Sequence, residues 1–319
     1  MTTVVTGGTG VVGGALLKHL VREQPSIRAL VRDVTTLPQG VEAVEGDVLS
    51  YPSLERAFHR ADLVFHVAGV NKMCLPDVTE MYRVNVDGTR NVLRAAAAAG
   101  VRRIVYTSSA ATMGEEPGTV GTEATRHRGR FSSHYERSKY EAEQVVAAEA
   151  AALDVVVVNP SSVQGRGRAT GTGKLLLDLI SGRLSTVVDT RISIVDIDDC
   201  ARGHMLAASK GTPGQRYILN SFSMTMQEAV GLLSAVSARI MKVKYIPPAL
   251  AMVAGTVIGA GYRLFGRRAP VCAEMVRTLV HGHVYDGSKA SRELGLVYTP
   301  ATETLKRLVS WARSESLIP

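Results

Sequence analysis

Tyr135 and Lys139 stand four residues apart in Tyr135-Glu136-Arg137-Ser138-Lys139. On a helix that spacing stacks two side chains on one face. An ammonium beside a phenol favours the phenolate, so the pair can pass a proton to or from a carbonyl or alcohol oxygen. A second chemical signal opens the chain, Thr6-Gly7-Gly8-Thr9-Gly10-Val11-Val12-Gly13. It follows an apolar strand and begins a helix, where glycines let backbone N–H groups approach a pyrophosphate at the positive helix end. A dinucleotide held there would carry a hydride to match the proton. Ser108-Ser109 lies between the two motifs. Tyr-x-x-x-Lys alone is a weak pattern; with the glycine turn upstream and the serines between, the three make one set.

The elements that must position these groups alternate along the first half. Strands are expected at Thr3–Thr6, Ile27–Val31, Val41–Val44, Leu63–Val67, Arg103–Tyr106 and Val155–Val158, the last ended by Asn159-Pro160. Helices are expected at Val11–Val21, Ser53–His59, Asp87–Ala99 and Ser133–Leu153, with Gly100 stopping the third. Uninterrupted apolar strands alternating with helices imply a parallel sheet covered on both faces, the doubly wound α/β class. After Pro160 the rhythm breaks. Gly165, Gly167, Gly171 and Gly173 suggest a loop. Ile192–Val195 and Gln215–Leu219 read as returns to the sheet, and Met226–Ser237, Ala249–Leu264 and Thr302–Ala312 as helices. The expected organisation is a dinucleotide-binding domain over 1–159, with returns near 190–220. A smaller, mostly helical substrate lobe would comprise 160–189 and 221–319.

The 319 residues are 45% hydrophobic and only 5% aromatic, with net charge +8. The size allows a substantial core. No basic run with interleaved aromatics appears, which argues against nucleic acid; the charge suits solubility and attraction of an anionic ligand. Cys74, Cys200 and Cys272 show neither metal-ligand spacing nor a disulfide framework, so a reduced, cytoplasmic setting is expected. His66, His134 and His204 do not make a metal set, and no metal is expected. The chain enters a strand at once, leaving no room for a signal peptide. Residues 246–262 carry no charge and precede Arg263, Arg267 and Arg268. They are slightly short for a span of about 20 residues. They read as a helix packed in the fold, with membrane-surface contact as the alternative, and Gly255 and Gly259 would let another helix approach closely.

Gly7, Thr9, Gly10, Val11 and Val12 are the candidate pyrophosphate contacts. Cofactor choice falls to the end of the second strand, where a carboxylate would bind the ribose diol of NAD and an arginine the extra phosphate of NADP. Arg32 comes first there and can make a bidentate contact, so NADP(H) is expected over NAD(H), with Asp33 a turn residue. Asp47 and Val48 follow the third strand and are placed to meet adenine. Val67, Ala68 and Gly69 follow the fourth and would pass beneath the adenosine ribose.

The chain resembles an extended short-chain dehydrogenase/reductase. The resemblance rests on the glycine turn, Gly46-Asp47-Val48, His66-Val67-Ala68-Gly69, Asn85-Val86-Asp87-Gly88-Thr89, Tyr106-Thr107-Ser108-Ser109-Ala110, Tyr135 to Lys139 and Asn159-Pro160-Ser161-Ser162-Val163. Within that family it is similar to dihydroflavonol-4-reductase-like and 3β-hydroxysteroid-dehydrogenase-like members. From Val188 to Gly295 it also resembles bacterial hopanoid-associated sugar epimerases. The resemblance implies Tyr135 as acid or base and Lys139 holding the nicotinamide ribose and lowering the tyrosine pKa. Ser109 would orient the reacting oxygen, Thr107 would lie by the cofactor, and Pro160 and Val163 would flank the nicotinamide. A homodimer through 87–99 and 133–153 is also implied.

Such a fold hosts several chemistries. The dehydratases of this group carry an Asp-Glu pair after the orienting serine, where this chain has Ala110-Ala111, so dehydration is disfavoured. Leu175-Leu176-Leu177 and residues 248–258 are apolar and suit a ketone, aldehyde or alcohol on a hydrophobic frame. Arg126, Arg128 and Arg130 read as a solvated face. The expected activity is an NADP-dependent reductase or dehydrogenase acting on an apolar small molecule. A nucleotide-sugar epimerase and a non-enzymatic NADP-binding sensor are the alternatives.

Overall fold

Valine-rich segments build the centre of the molecule. The computed structural model describes residues 1–34, 37–149, 153–267 and 269–319. The first half runs β1 (Thr3–Thr6), α1 (Val11–Glu23), β2 (Ile27–Val31), β3 (Val41–Glu45), α2 (Tyr51–Phe58), β4 (Leu63–His66), α3 (Thr79–Tyr82), α4 (Gly88–Ala98), β5 (Arg103–Thr107), β6 (Val120–Gly121), α5 (His134–Glu149) and β7 (Val155–Pro160). The second half runs β8 (Ser162–Gln164), α6 (Thr172–Ile180), β9 (Thr186–Val188), β10 (Arg191–Asp196), α7 (Ile197–Lys210), β11 (Arg216–Leu219), β12 (Phe222–Thr225) and α8 (Met226–Ser237). It closes with β13 (Lys244–Ile246), α9 (Pro248–Leu264), α10 (Ala273–His281), β14 (Val284–Tyr285) and α11 (Ala301–Ser314).

Seven strands pair in the order β11-β7-β5-β4-β1-β2-β3, every pair parallel. Alternate residues feed two cores. Val5, Ala29, Phe65, Val105 and Val156 face one layer, with Leu16, Leu20 of α1 and Cys200, Ala207 of α7. Val4, Leu30, Val64, Ile104 and Val155 face the other, with Leu54 of α2, Val92 of α4 and Ala142 of α5. Burial on both faces explains why the strands read as continuous apolar runs. The strand order reverses between β1 and β4, and loops at the carboxyl ends diverge there to open a crevice.

Two expectations change. Ile192–Val195 lies in β10, which pairs with β8 and β12 in a separate three-stranded sheet; only β11 rejoins the central one. The glycine-rich stretch after β8 is a short loop leading into α6. Leu176 and Leu177 of α6 pack against Leu233, Leu305 and Leu308 in a core of their own, so their apolarity holds the second half together.

The expected helix end at 150–152, and Arg268, lie outside the described residues. The helix over 248–264 packs by its small residues: a Cβ on Gly255 would fall 2.5 Å from Val276 Cγ2. Its other side exposes Leu250, Val253 and Val257. Among the described residues no helix is long and apolar enough to cross a membrane.

Cys74 and Cys272 form a disulfide across 198 residues of sequence, against the expectation of free thiols. The fold brings the loop after β4 onto the start of α10, a proximity that spacing cannot reveal.

Candidate active site

The carboxyl ends of β1, β4, β5 and β7 gather the sequence motifs at one edge. Gly7 adopts φ +74°, and a Cβ there would fall 2.6 Å from Ala68 N. The turn after β1 therefore touches the turn after β4 backbone to backbone, a contact only glycine permits. Gly13 repeats the requirement, since its Cβ would lie 2.2 Å from Gly7 O. Gly10 caps α1 with no side-chain hydrogen bond, leaving the first N–H groups to face the crevice. Thr9 is exposed, while Val11 and Val12 begin the helix half-buried. Arg32 is exposed just past β2. Asp47 Oδ1 accepts from Leu49 N at 2.9 Å, closing a local turn after β3, and Val48 is buried in the core. Val67, Ala68 and Gly69 follow β4; a Cβ on Gly69 would sit 3.8 Å from Lys139 Nζ. Pro160 is the last residue of β7 and Val163 lies in β8.

Helix α5 carries Tyr135 and Lys139 to the same edge. Ser133 Oγ accepts from Glu136 N at 3.1 Å and so caps its first turn. The Ser109 hydroxyl accepts from Ala111 N at 3.3 Å and is near enough to the Tyr135 phenol to influence its ionisation. Lys139 is buried and donates to Thr107 O at 2.7 Å, with its Nζ 4.7 Å from the Tyr106 ring centre. Burial lowers the lysine pKa to about 8 despite the Glu143 carboxylate. The Tyr135 pKa is raised by burial; Ser109 and the Arg168 guanidinium pull the other way. The Lys139 ammonium is turned toward the Thr107 carbonyl. The Thr107 hydroxyl faces His204 Nε2 at 2.9 Å. His204 Nδ1 must donate to Cys200 O, and burial, which lowers its pKa to about 4, keeps the ring neutral.

Several supporting residues were not singled out by sequence. Asn85, in a π-helical turn before α4, donates to Ser138 Oγ at 2.8 Å and accepts from Val70 N at 2.7 Å. It ties α5 to the loop after β4. Glu143 continues the Tyr135, Lys139 stripe by one turn. Its carboxylate accepts from Thr112 Oγ1 at 2.7 Å and Asn159 Nδ2 at 2.6 Å. Both donors also bond Ser109 O, so Glu143 fixes the backbone beneath Ser109. Arg128 is not on a solvated face; it is buried and pairs with Glu136. Glu115, His281 and His283 converge with their ligand atoms within 4.8 Å of one another, a grouping that consideration of His66, His134 and His204 did not anticipate. A cavity of about 600 Å³ lined by Gln24, Asp62, Leu63 and Arg103 opens at the amino ends of the strands, on the opposite edge from this chemistry.

The model of the NAD dependent epimerase/dehydratase family matches residues 3–219. The chain belongs to this family. Over 98% of its length it is 32% identical to 95% of a putative dihydroflavonol 4-reductase from Synechocystis. Over 96% it is 31% identical to 88% of a 3β-hydroxysteroid dehydrogenase/Δ5→4-isomerase from Mycobacterium tuberculosis. A solved structure, that of gox2253, superposes with TM-score 0.86 at 30% identity, covering 100% of this chain and 99% of that one. With reductase and dehydrogenase relatives of this kind, the chain is an oxidoreductase of the extended short-chain type.

Family members bind NAD(P), and the residues here fit such a dinucleotide. The close approaches at Gly7 and Gly13 leave a backbone cradle that any Cβ would fill. The uncapped start of α1 supplies N–H donors and a positive helix end for the pyrophosphate.

Proposed function

We propose that the protein is an NADP(H)-dependent oxidoreductase. It moves a hydride between the nicotinamide and the carbonyl or alcohol carbon of a small, largely apolar molecule. The observation that carries this reading is Ser109, Tyr135 and Lys139 meeting at the strand ends beside the glycine cradle. When bound, the cofactor supplies the hydride acceptor or donor. Tyr135 takes the hydroxyl proton in oxidation and returns it in reduction, so the alcohol's two hydrogens leave as hydride and proton. Ser109 donates to the reacting oxygen and holds it over Tyr135. Lys139 holds the ribose, giving up its bond to Thr107 O. Pro160 and Val163 shield the nicotinamide from water. Asn85 and Glu143 keep the helix and the Ser109 backbone in register. Residues 160–189 and 221–319 supply the substrate lobe, and α4 and α5, which pack side by side, supply a homodimer face.

Arg32 carries the NADP preference, since its exposed guanidinium stands where an adenosine ribose phosphate would reach. The test is net oxidation of NADPH against NADH with a panel of ketones and aldehydes, repeated with Arg32→Asp. The reading expects net redox turnover favouring NADPH, and a loss of that preference by at least about tenfold in the variant. A tightly retained cofactor with no net redox change would instead indicate an epimerase.

A further inference from the structure

Gly282, at φ +66°, ends α10 and turns the chain into β14. A histidine stands on either side of it, and the turn stacks His281 on His283 with ring centres 4.2 Å apart. Both rings meet Glu115, which follows the Ser109 loop. Glu115 Oε1 lies 3.3 Å from His281 Nε2 and 2.5 Å from His283 Nδ1. The side chains of Glu115, His281 and His283 are only 1%, 6% and 14% exposed. Pairing of β14 with β6 closes the group, and a Cβ on Gly121 would fall 3.3 Å from Glu115 Oε2.

Hydrogen bonds do not account for this group. Glu115 Oε2, His281 Nε2 and His283 Nε2 are sealed from solvent with no hydrogen-bond partner among the described residues. His281 Nε2 is near the carboxylate but not in line for a hydrogen bond with it. Two imidazolium ions stacked this closely would repel each other, so at least one ring is neutral and keeps a nitrogen lone pair. The Arg128 guanidinium reaches the Glu115 backbone carbonyl at 3.1 Å, but its charge is already paired with Glu136. The Glu115 carboxylate is left facing imidazoles.

We propose that Glu115, His281 and His283 form a binding site for a divalent transition-metal ion of the zinc type. One carboxylate and two imidazoles are a donor set that such an ion takes, with a fourth position left for water. Ligand atoms about 2.0–2.1 Å from a tetrahedral ion stand about 3.3 Å apart. The Glu115–His281 pair already has that spacing. The closer Glu115–His283 pair shares a proton that the ion would displace, spreading it by about 0.8 Å. Magnesium or calcium would instead seek oxygen ligands. The bound ion would clamp the loop after Ser109 to the end of α10, whose other end is held by the disulfide through its N-cap Cys272. The proposal does not depend on the hydride-transfer reading.

The experiment uses the full chain without an affinity tag, stripped with EDTA and then freed of it, and calorimetric titration with zinc chloride. One ion should bind per chain. Glu115→Gln, and the double variant His281→Gln with His283→Gln, should each weaken zinc binding by at least about 100-fold. Saturating zinc should raise the melting temperature of the wild type and leave that of the double variant unmoved. Magnesium at the same concentration should shift neither. X-ray absorption of the zinc-loaded wild type should show two imidazole ligands, oxygen donors and no sulfur, since Cys200 is buried and the other cysteines are bonded to each other. No zinc binding by the wild type would mean that a proton alone satisfies the group, and would overturn the proposal. So would undiminished binding by either variant, or a zinc shell with sulfur or without paired imidazoles. Should the variants fail to fold, the wild-type stoichiometry and its X-ray absorption still decide.

Discussion

Replacing Lys139 by methionine should make the protein more stable and inactive. The lysine is 4% exposed, and burial moves its pKa from 10.5 to about 8. That displacement corresponds to about 3 kcal/mol of destabilisation near neutral pH. Methionine keeps the unbranched stem and its volume but carries no charge. It also removes the donor to Thr107 O, and an unmet carbonyl costs about 1–2 kcal/mol. The net expectation is a gain of about 1–2 kcal/mol, measured by urea denaturation of the cofactor-free protein at pH 7. The pH dependence gives a second handle. A lysine with a depressed folded pKa binds its proton more weakly in the native state than in the unfolded chain. The wild type therefore bears the full cost below about pH 8 and recovers stability as pH climbs toward 10.5. Between pH 7 and 9.5 it should gain about 2 kcal/mol relative to Lys139→Met. A variant less stable than wild type at pH 7, or a difference flat across that range, would refute the reasoning.

Gly7→Ala forces a Cβ into Ala68 N at a positive φ, so it should lose nicotinamide dinucleotide binding by at least about tenfold and lower the melting temperature; unchanged titrations would contradict the backbone contact. The Cys74–Cys272 bond closes a loop of 198 residues, so Cys74→Ser should cost about 2–5 kcal/mol in non-reducing denaturation. A reductant should lower wild-type stability by the same amount and leave the variant unmoved.

The central sheet was legible because its evidence is local. β2 spans the expected Ile27–Val31 and α8 the expected Met226–Ser237; one is a short, mostly apolar run and the other opens on a Thr225, Glu228 capping box. The candidate site's position was legible for the same reason, since the glycine turn and the Tyr135, Lys139 pair are short motifs that follow β1 and open α5. Helix α6 was hidden behind Gly165 to Gly173, whose punctuation reads as loop. Helix α7 announced itself only through the Asp196 cap on Asp198 N. The burial of Arg128, the support of Ser109 by Glu143 and the disulfide depend on approaches between distant segments. No residue spacing encodes those. A sequence shows that an amine is near a phenol, not which way the amine is turned; the bond from Lys139 to Thr107 O is seen only in the fold.

The central claim is that Tyr135 handles the proton while a dinucleotide in the glycine cradle handles the hydride. It is tested most directly by measuring NADPH affinity and single-turnover hydride transfer in the same preparation of Tyr135→Phe. The account predicts unchanged cofactor affinity and transfer slowed by about 10²- to 10⁴-fold. Transfer within about threefold of wild type would contradict it, since proton catalysis of this kind contributes at least about 10²-fold.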